Sequence, residues 1–174
     1  KDLDALLIAC NTTNACALDL VKNTLKIPCF DLITSVSETI TSNSIGILAT
    51  TATVKSSFYK IIINKINPEV KVFQQSCPKF VSEIEKNSID YKKINYLADL
   101  YLRPLIKENV NEIILGCSHY PLIAEILRKK IASDIKIIDP SIALIDNLNT
   151  YFNSMGKFDK SNKYDNVEFF ATGK

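Results

Sequence analysis

Short runs of apolar residues alternate along the chain with longer stretches in which apolar side chains recur every three or four positions. The short runs predict buried β-strands, and the longer stretches predict helices with one apolar face. The predicted strands cover residues 5–9, 44–49, 70–74, 112–116 and 135–138. The predicted helices cover residues 13–25, 34–41, 53–64, 79–86, 121–131 and 141–152, and a further helix starts at residue 93. Pro104 inside that further helix predicts a kink or a break, and residues 153–163 predict a polar loop.

This order of elements indicates the fold class. Strands that alternate with helices are typical of α/β proteins with a mostly parallel sheet. The length of 174 residues is enough for one domain or two small ones. Ligands of parallel sheets bind at the carboxyl ends of the strands, beside the N-termini of the helices that follow. Residues directly after the predicted strands are therefore the first candidates for a functional site.

The charge pattern argues against two classes of partner. Lys and Arg number 21 and Asp and Glu 19, and the basic residues are mostly lysines spread along the chain, so nucleic acid is not an expected partner. No apolar run approaches the roughly 20 residues that cross a bilayer, and no signal peptide opens the chain, so no membrane partner is expected. We therefore expect a cytoplasmic protein.

Cysteine is the residue type that carries candidate chemistry. The five cysteines form no C-x-x-C pair, and there is a single histidine, so neither a structural metal site nor a disulfide framework is expected. Two cysteines share an unusual setting, because residues 6–12 (LLIACNT) lie in register with residues 113–119 (IILGCSH). In both, an apolar run and a small residue lead to a cysteine and then to polar residues that open a predicted helix. Cys16, Cys29 and Cys77 lack this setting.

The setting of Cys10 and Cys117 suggests proton transfer. A thiol at a helix N-terminus meets backbone N–H groups and the positive end of the helix dipole, which favour the thiolate. Two such turns facing each other would place proton-transfer groups on opposite sides of one ligand, the arrangement that inversion at carbon requires. The alternative is that both are packing cysteines at strand ends.

Several segments resemble a known family. Residues 9–12 (ACNT) and 116–122 (GCSHYPL) resemble the two signatures of the cofactor-independent glutamate racemases, with Ser118 where that family usually has threonine. Residues 46–56 are similar to the family's threonine-rich turn, with Ala49 at a usual glycine. Residues 77–81 with Glu85, and residues 102–105 with Pro104, also fit. The resemblance extends to about residue 152, with a weaker match at 169–173.

The resemblance implies an α/β fold of two similar domains, whose parallel-sheet cores face each other across a cleft, with the first domain incomplete. It places residues 1–36 plus 139–174 in the first domain and residues 37–138 in the second. It further implies an isomerase that interconverts L- and D-glutamate for peptidoglycan synthesis and cell-wall formation. The implied partner is the small-molecule substrate, and a homodimer is left open.

The resemblance also assigns roles to residues. Cys10 and Cys117 are the expected acid/base thiols, the first acting on the D-enantiomer and the second on the L-enantiomer. His119 is expected to assist Cys117, and Glu85 to support the same cysteine. Asn11, Thr12, Thr50, Thr53 and Ser118 are the expected substrate-binding residues. No cofactor is expected, since no lysine lies in a pocket motif suited to a pyridoxal Schiff base.

Two family segments have no counterpart here. The family begins with another strand and an Asp-Ser-Gly-rich loop, followed by a Pro-Tyr-Gly segment, and neither motif occurs in this sequence. We therefore expect a family member truncated mainly at its N-terminus, with little or no racemase activity in the chain alone and activity in a product extended upstream.

Three alternatives stay open. An aspartate racemase, or a racemase of a related acid, would share the paired cysteines. A cysteine hydrolase could use Cys117 and His119, although Leu115 and His119 stand where its nucleophile turn needs glycines. An inactive remnant would fold poorly or would only bind ligand.

Overall fold

The computed structural model describes residues 3–156 and 167–172 of the chain. Its elements, in order, are β1 (Leu6–Ile8), α1 (Asn11–Thr24), β2 (Cys29–Asp31), α2 (Leu32–Ser37), β3 (Ser44–Ala49), α3 (Thr51–Ser56), α4 (Phe58–Ile66), β4 (Lys71–Ser76), α5 (Phe80–Ile84), α6 (Tyr91–Lys107), β5 (Glu112–Gly116), a 3-10 helix (Tyr120–Ile123), α7 (Ala124–Arg128), β6 (Lys136–Ile138) and α8 (Pro140–Ser154). No helix in these ranges combines the length and the apolar composition needed to cross a membrane.

Two parallel sheets organise the molecule. Strands β1 and β2 pair in one sheet, and the second sheet has the order β4-β3-β5-β6. All strands of a sheet point the same way, so the turns after β3, β5 and β6 lie at one edge. The predicted α/β fold with parallel sheets is confirmed.

The core lies on both faces of the four-stranded sheet. Ile45 and Ile47 of β3 pack on one face against α2, α4 and α8, whereas Leu48 packs on the other face with residues of α5, α6 and α7. Strand β5 alternates in the same way, since Ile113 and Ile114 belong to opposite faces. Alternate side chains of a strand point to opposite faces, so a strand covered on both sides is apolar throughout. This explains why β3 and β5 were visible as continuous apolar runs.

The structure corrects four details of the predicted elements. Strand β2 was not predicted; it has only three residues and pairs with β1. Helix α2 begins earlier than predicted because Asp31 accepts a hydrogen bond from the Thr34 backbone N–H at 2.8 Å. Helix α6 continues through Pro104, which lies in its last turn, so the proline neither ends the helix nor splits it in two. The helix predicted over residues 121–131 begins instead as a 3-10 turn.

The helix predicted over residues 53–64 is divided at Ser57. Ser57 has a left-handed φ of 56° and ends α3. The Ser56 hydroxyl donates to the Thr53 carbonyl at 2.7 Å and accepts from the Phe58 N–H at 3.2 Å. Side-chain hydrogen bonds of this kind compete with the helical pattern. The chain therefore turns between α3 and α4.

The domain division stays a prediction. Helix α8 packs against β2 and α2, and both α2 and α8 also pack against β3 of the four-stranded sheet. Of the predicted polar loop, residues 153–154 still belong to α8, and residues 157–163 lie outside the described residues. Residues 167–172, which include most of the weaker family match, have no regular secondary structure, and residue 173 lies outside the described residues.

Candidate active site

The first cysteine turn connects β1 to α1. Cys10 has an extended backbone, and its carbonyl accepts the first hydrogen bond of the helix, from the Asn14 N–H at 2.9 Å. The Asn14 side chain is fully buried and holds the turn through two hydrogen bonds. Its Nδ2 donates to the Ile8 carbonyl at 3.0 Å, and its Oδ1 accepts from the Leu32 N–H at 2.8 Å. Asn14 thus ties the end of β1 to the start of α2.

Local hydrogen bonds favour the thiolate of Cys10. Burial alone would raise the pKa of this thiol, but hydrogen bonds from the side chain and backbone of Thr13 and from the backbone of Thr12 outweigh it. The pKa of Cys10 is therefore lower than that of a free thiol. These donors belong to the first turn of α1, as expected for a cysteine that precedes a helix.

The second cysteine turn follows β5 and differs electrostatically. Cys117 is 6% exposed, and burial raises the pKa of its thiol. A hydrogen bond from the His119 backbone acts in the opposite direction, whereas nearby negative charge at Cys10 and Glu85 raises the pKa further. The turn leads into a four-residue 3-10 helix instead of a long α-helix. The expectation that both turns favour the thiolate is wrong for Cys117, because its burial outweighs the few N–H groups that face it.

A chain of three side chains leads from Cys117 to solvent. His119 Nδ1 lies 3.8 Å from Cys117 Sγ, and His119 Nε2 lies 2.8 Å from Oε1 of Glu85. A carboxylate accepts hydrogen bonds, so Nε2 carries the hydrogen and Nδ1 is free to accept one from the thiol. The Glu85 side chain is 60% exposed. The structure brings these three predicted residues together, although Glu85, which directly follows α5, is 34 positions from His119.

Three threonine hydroxyls meet where α1 packs against the turn after β3. Thr12 Oγ1 lies 3.0 Å from Thr50 Oγ1 and 3.3 Å from Thr53 Oγ1, and the latter two are 3.0 Å apart. Thr50 also caps α3 by accepting from the Thr53 N–H at 3.3 Å. All three residues were predicted to bind substrate. The structure places them side by side, which the sequence separation of about 40 residues could not show.

A pocket of about 250 Å³ opens at the ends of the strands. Asn11, Cys117 and Ser118 were predicted for the site and line it. Asp139 and Ser141 line it too and were missed. Their signal was present, because an Asp-Pro pair directly after an apolar run marks a helix N-terminus at a strand end. Asp139 indeed caps α8, accepting from the Ser141 N–H at 2.9 Å.

A second missed residue lies behind the pocket. The Tyr59 hydroxyl donates to Asn11 Oδ1 at 2.6 Å, although the two residues are 48 positions apart. No sequence signal connects them. The other cysteines stay outside this arrangement: Cys16 is exposed on α1, and Cys77 is buried beneath Tyr120, whose hydroxyl donates to the Cys77 carbonyl at 3.3 Å. Within the described ranges, no three His, Cys, Asp or Glu side chains are grouped so that they could hold a metal ion.

Comparison with known proteins identifies relatives of this chain. Residues 1–148 match the family described as Asp/Glu/hydantoin racemase. The chain is 44% identical over 173 residues to a glutamate racemase of Prochlorococcus marinus strain NATL2A, covering 99% of this chain and 65% of that protein. It is 36% identical over 156 residues to a glutamate racemase of a Synechococcus strain, covering 90% of this chain and 59% of that protein. The chain thus spans less than two thirds of the length of these relatives.

Solved structures give the same picture. A glutamate racemase from Francisella tularensis in complex with D-glutamate superposes with a TM-score of 0.85 at 34% identity, covering 92% of this chain and 61% of that one. A glutamate racemase from Bacillus anthracis gives a TM-score of 0.85 at 28% identity, with 91% and 61% covered. An aspartate racemase from Picrophilus torridus, with a TM-score of 0.56 at 24% identity, shares the fold.

Proposed function

Because this chain belongs to the Asp/Glu/hydantoin racemase family, we propose that the protein carrying it interconverts L- and D-glutamate through its two cysteines. The predicted resemblance to this family is confirmed. The observation that supports the activity is the opposite pKa shift of two thiols at equivalent strand ends, lowered for Cys10 and raised for Cys117. Groups whose surroundings separate their pKa values in this way are suited to act as base and acid.

The proton moves across the substrate. From D-glutamate, the Cys10 thiolate removes the α-proton, and the Cys117 thiol delivers its proton to the opposite face of the α-carbon, which yields L-glutamate. Cys10 is then a thiol and Cys117 a thiolate, the form that acts on L-glutamate. His119 accepts the Cys117 proton through Nδ1 when the thiol must ionise, and Glu85 stabilises the resulting imidazolium.

Electrostatic stabilisation of the carboxylate is the second requirement. Loss of an α-proton moves negative charge into the carboxylate, so fixed donors around it lower the barrier. Asn11 and Ser118 line the pocket, and the hydroxyl of Thr12, the residue after Asn11, contacts those of Thr50 and Thr53. We propose that these donors bind the substrate. The reaction needs no cofactor, because the thiols move the proton themselves.

The setting of this activity is also part of the proposal. A glutamate racemase supplies D-glutamate for peptidoglycan synthesis, and we place this protein in the cytoplasm with free glutamate as its partner. The free thiols Cys10 and Cys117 are consistent with a reducing compartment.

The test is racemisation by the protein expressed from its complete reading frame. Polarimetry with L-glutamate, D-glutamate and L-aspartate separates the two acids. We expect turnover of both glutamate enantiomers, loss of racemisation in Cys10→Ala and in Cys117→Ala, and unchanged rates in the control Cys16→Ala, whose thiol is exposed on α1. Activity on aspartate alone, or full activity in either active-site variant, would refute the proposal.

A further inference from the structure

We propose that Tyr59 is a positioning residue of this site, which acts by orienting the side-chain amide of Asn11. The inference rests on the function proposed above and concerns how the substrate carboxylate is recognised. Tyr59 lies on α4, and its side chain is fully buried. It does not line the pocket, so any effect on the reaction must pass through a neighbour.

The contact between the two residues is short and dry. The Tyr59 hydroxyl donates to Asn11 Oδ1 at 2.6 Å, and Asn11 is 2% exposed. Asn11 is the first residue of α1, directly after Cys10, and it lines the pocket together with Cys117 and Ser118. One end of the Asn11 amide is therefore held by Tyr59 while the residue borders the space for the substrate.

The direction of this hydrogen bond decides which end of the Asn11 amide is available to the substrate. Burial and then the negative charges of Asp31, Cys117 and Asp139 raise the pKa of Tyr59, so the phenol keeps its hydrogen and donates it. An asparagine amide presents an acceptor on one side and two donors on the other. With Oδ1 occupied by the Tyr59 hydroxyl, Nδ2 is the end of the amide that is left for a ligand. The substrate carboxylate then meets an N–H donor instead of a carbonyl oxygen that would repel it.

Removing the hydroxyl should weaken substrate binding without removing a reacting group. In Tyr59→Phe the Asn11 amide can rotate, and a neutral hydrogen bond that fixes a donor is lost. We expect KM for both glutamate enantiomers to rise about fivefold to tenfold. The carboxylate gains negative charge as the α-proton leaves, so kcat should fall as well, by about twofold to threefold.

The experiment compares matched losses of one buried hydroxyl. Tyr101→Phe is the control, because Tyr101 is also buried, at 6% exposure, packs edge-on against Phe80 and does not line the pocket. We expect Tyr101→Phe to leave KM unchanged. In an Asn11→Ala background, Tyr59→Phe should cause no further rise in KM, because the group it orients is gone. An unchanged KM in Tyr59→Phe, an equal rise in Tyr101→Phe, or additive effects with Asn11→Ala would overturn the inference.

A second measurement does not depend on catalysis. In ¹⁵N NMR spectra, the two Asn11 side-chain N–H signals should shift in Tyr59→Phe and stay in place in Tyr101→Phe. If the wild-type protein does not racemise glutamate, the proposed function fails. The orientation of Asn11 by Tyr59 is then still decided by these signals, and identical signals in Tyr59→Phe and the wild type would refute it.

Discussion

Gly116, the residue before Cys117, allows a test of how tightly the second cysteine turn is packed. A Cβ added there would lie 2.9 Å from the Leu48 carbonyl oxygen, 3.0 Å from Ala49 Cβ and 3.1 Å from Ile47 Cγ2. The first of these atoms belongs to the backbone of the neighbouring strand β3, so it cannot rotate away. Gly116→Ala must therefore separate β3 and β5 or displace the turn that carries Cys117.

Gly46 provides a matched control in the same sheet. A Cβ at Gly46 would also meet an atom at 2.9 Å, but that atom is Cδ1 of Leu105, the end of a flexible side chain. Its next neighbours, Val110 Cγ2 at 3.3 Å and Ile113 Cγ1 at 3.4 Å, are side-chain atoms too. The two substitutions thus reduce the backbone conformational entropy of the unfolded chain equally. They differ in the atoms that the new methyl group contacts in the folded protein.

The expected free energies of unfolding follow from these contacts. Overpacking of a rigid core costs about 1–3 kcal/mol, and loss of glycine freedom in the unfolded state returns about 0.4–1 kcal/mol. Gly116→Ala should be destabilised by about 1.5–2 kcal/mol. Gly46→Ala should stay near zero, because a side-chain adjustment of Leu105 costs only about 0.5–1.5 kcal/mol.

Urea unfolding of the chain, followed by far-UV circular dichroism, measures this difference directly. In a separate thermal unfolding experiment, the gap between the two variants should appear as a Tm difference of about 3–8 °C for a protein of this size. Equal stabilities of the two variants, or a less stable Gly46→Ala, would show that the β3–β5 contact is not rigid and would refute the reasoning.

Three further outcomes follow from the site. Iodoacetamide at neutral pH should alkylate Cys10 at least about tenfold faster than Cys117 and leave Cys77 unmodified, which peptide mass spectrometry can follow. The reason is that Cys10 is exposed with a lowered pKa, whereas Cys77 is 1% exposed. Faster labelling of Cys117 would contradict the assigned pKa shifts. His119→Gln should lower kcat about 100-fold, whereas Glu85→Gln should lower it only about fivefold, since this carboxylate is 60% exposed and water screens its charge. Polarimetry measures both losses of activity. Equal losses would contradict the arrangement in which His119 contacts Cys117 and Glu85 acts only through His119. The pH profile of kcat/KM should be bell-shaped, and it should be identical for both enantiomers because their free energies are equal. It should rise as the pH passes the pKa of Cys10, because a thiolate is needed, and fall above the raised pKa of Cys117, because its proton is needed. Different profiles for the two enantiomers would point to an assay artefact or to a second reaction.

Elements with strong local signals were predictable. Residues 44–49 and 112–116 were predicted as strands with the bounds that β3 and β5 have in the structure, since both are buried on two faces and read as apolar runs. The three-residue strand β2 was not predictable, because three residues carry no periodicity and pairing with β1 defines it. The break at Ser57 was missed for a related reason: two side-chain hydrogen bonds of Ser56 create it.

The candidate site likewise has features that the local sequence predicts and features that only long-range contacts determine. The sequence by itself determined the residue types and their places at strand ends, which is why Cys10, Cys117 and their polar neighbours could be named. Tertiary structure alone decided that Thr12 meets Thr50 and that Tyr59 reaches Asn11, because both contacts join segments about 40 or more residues apart.

Tertiary structure also decided which of two similar turns holds the more acidic thiol. The two cysteine turns share a local pattern that predicts the same chemistry for both. The structure separates their pKa values, because local hydrogen bonds in the first turn of α1 act on Cys10 while burial between packed elements acts on Cys117. Desolvation depends on everything that surrounds a group, including parts of the chain far away in sequence. The sequence therefore determined that there are two candidate thiols, and only the folded arrangement lowers the pKa of Cys10 and raises that of Cys117.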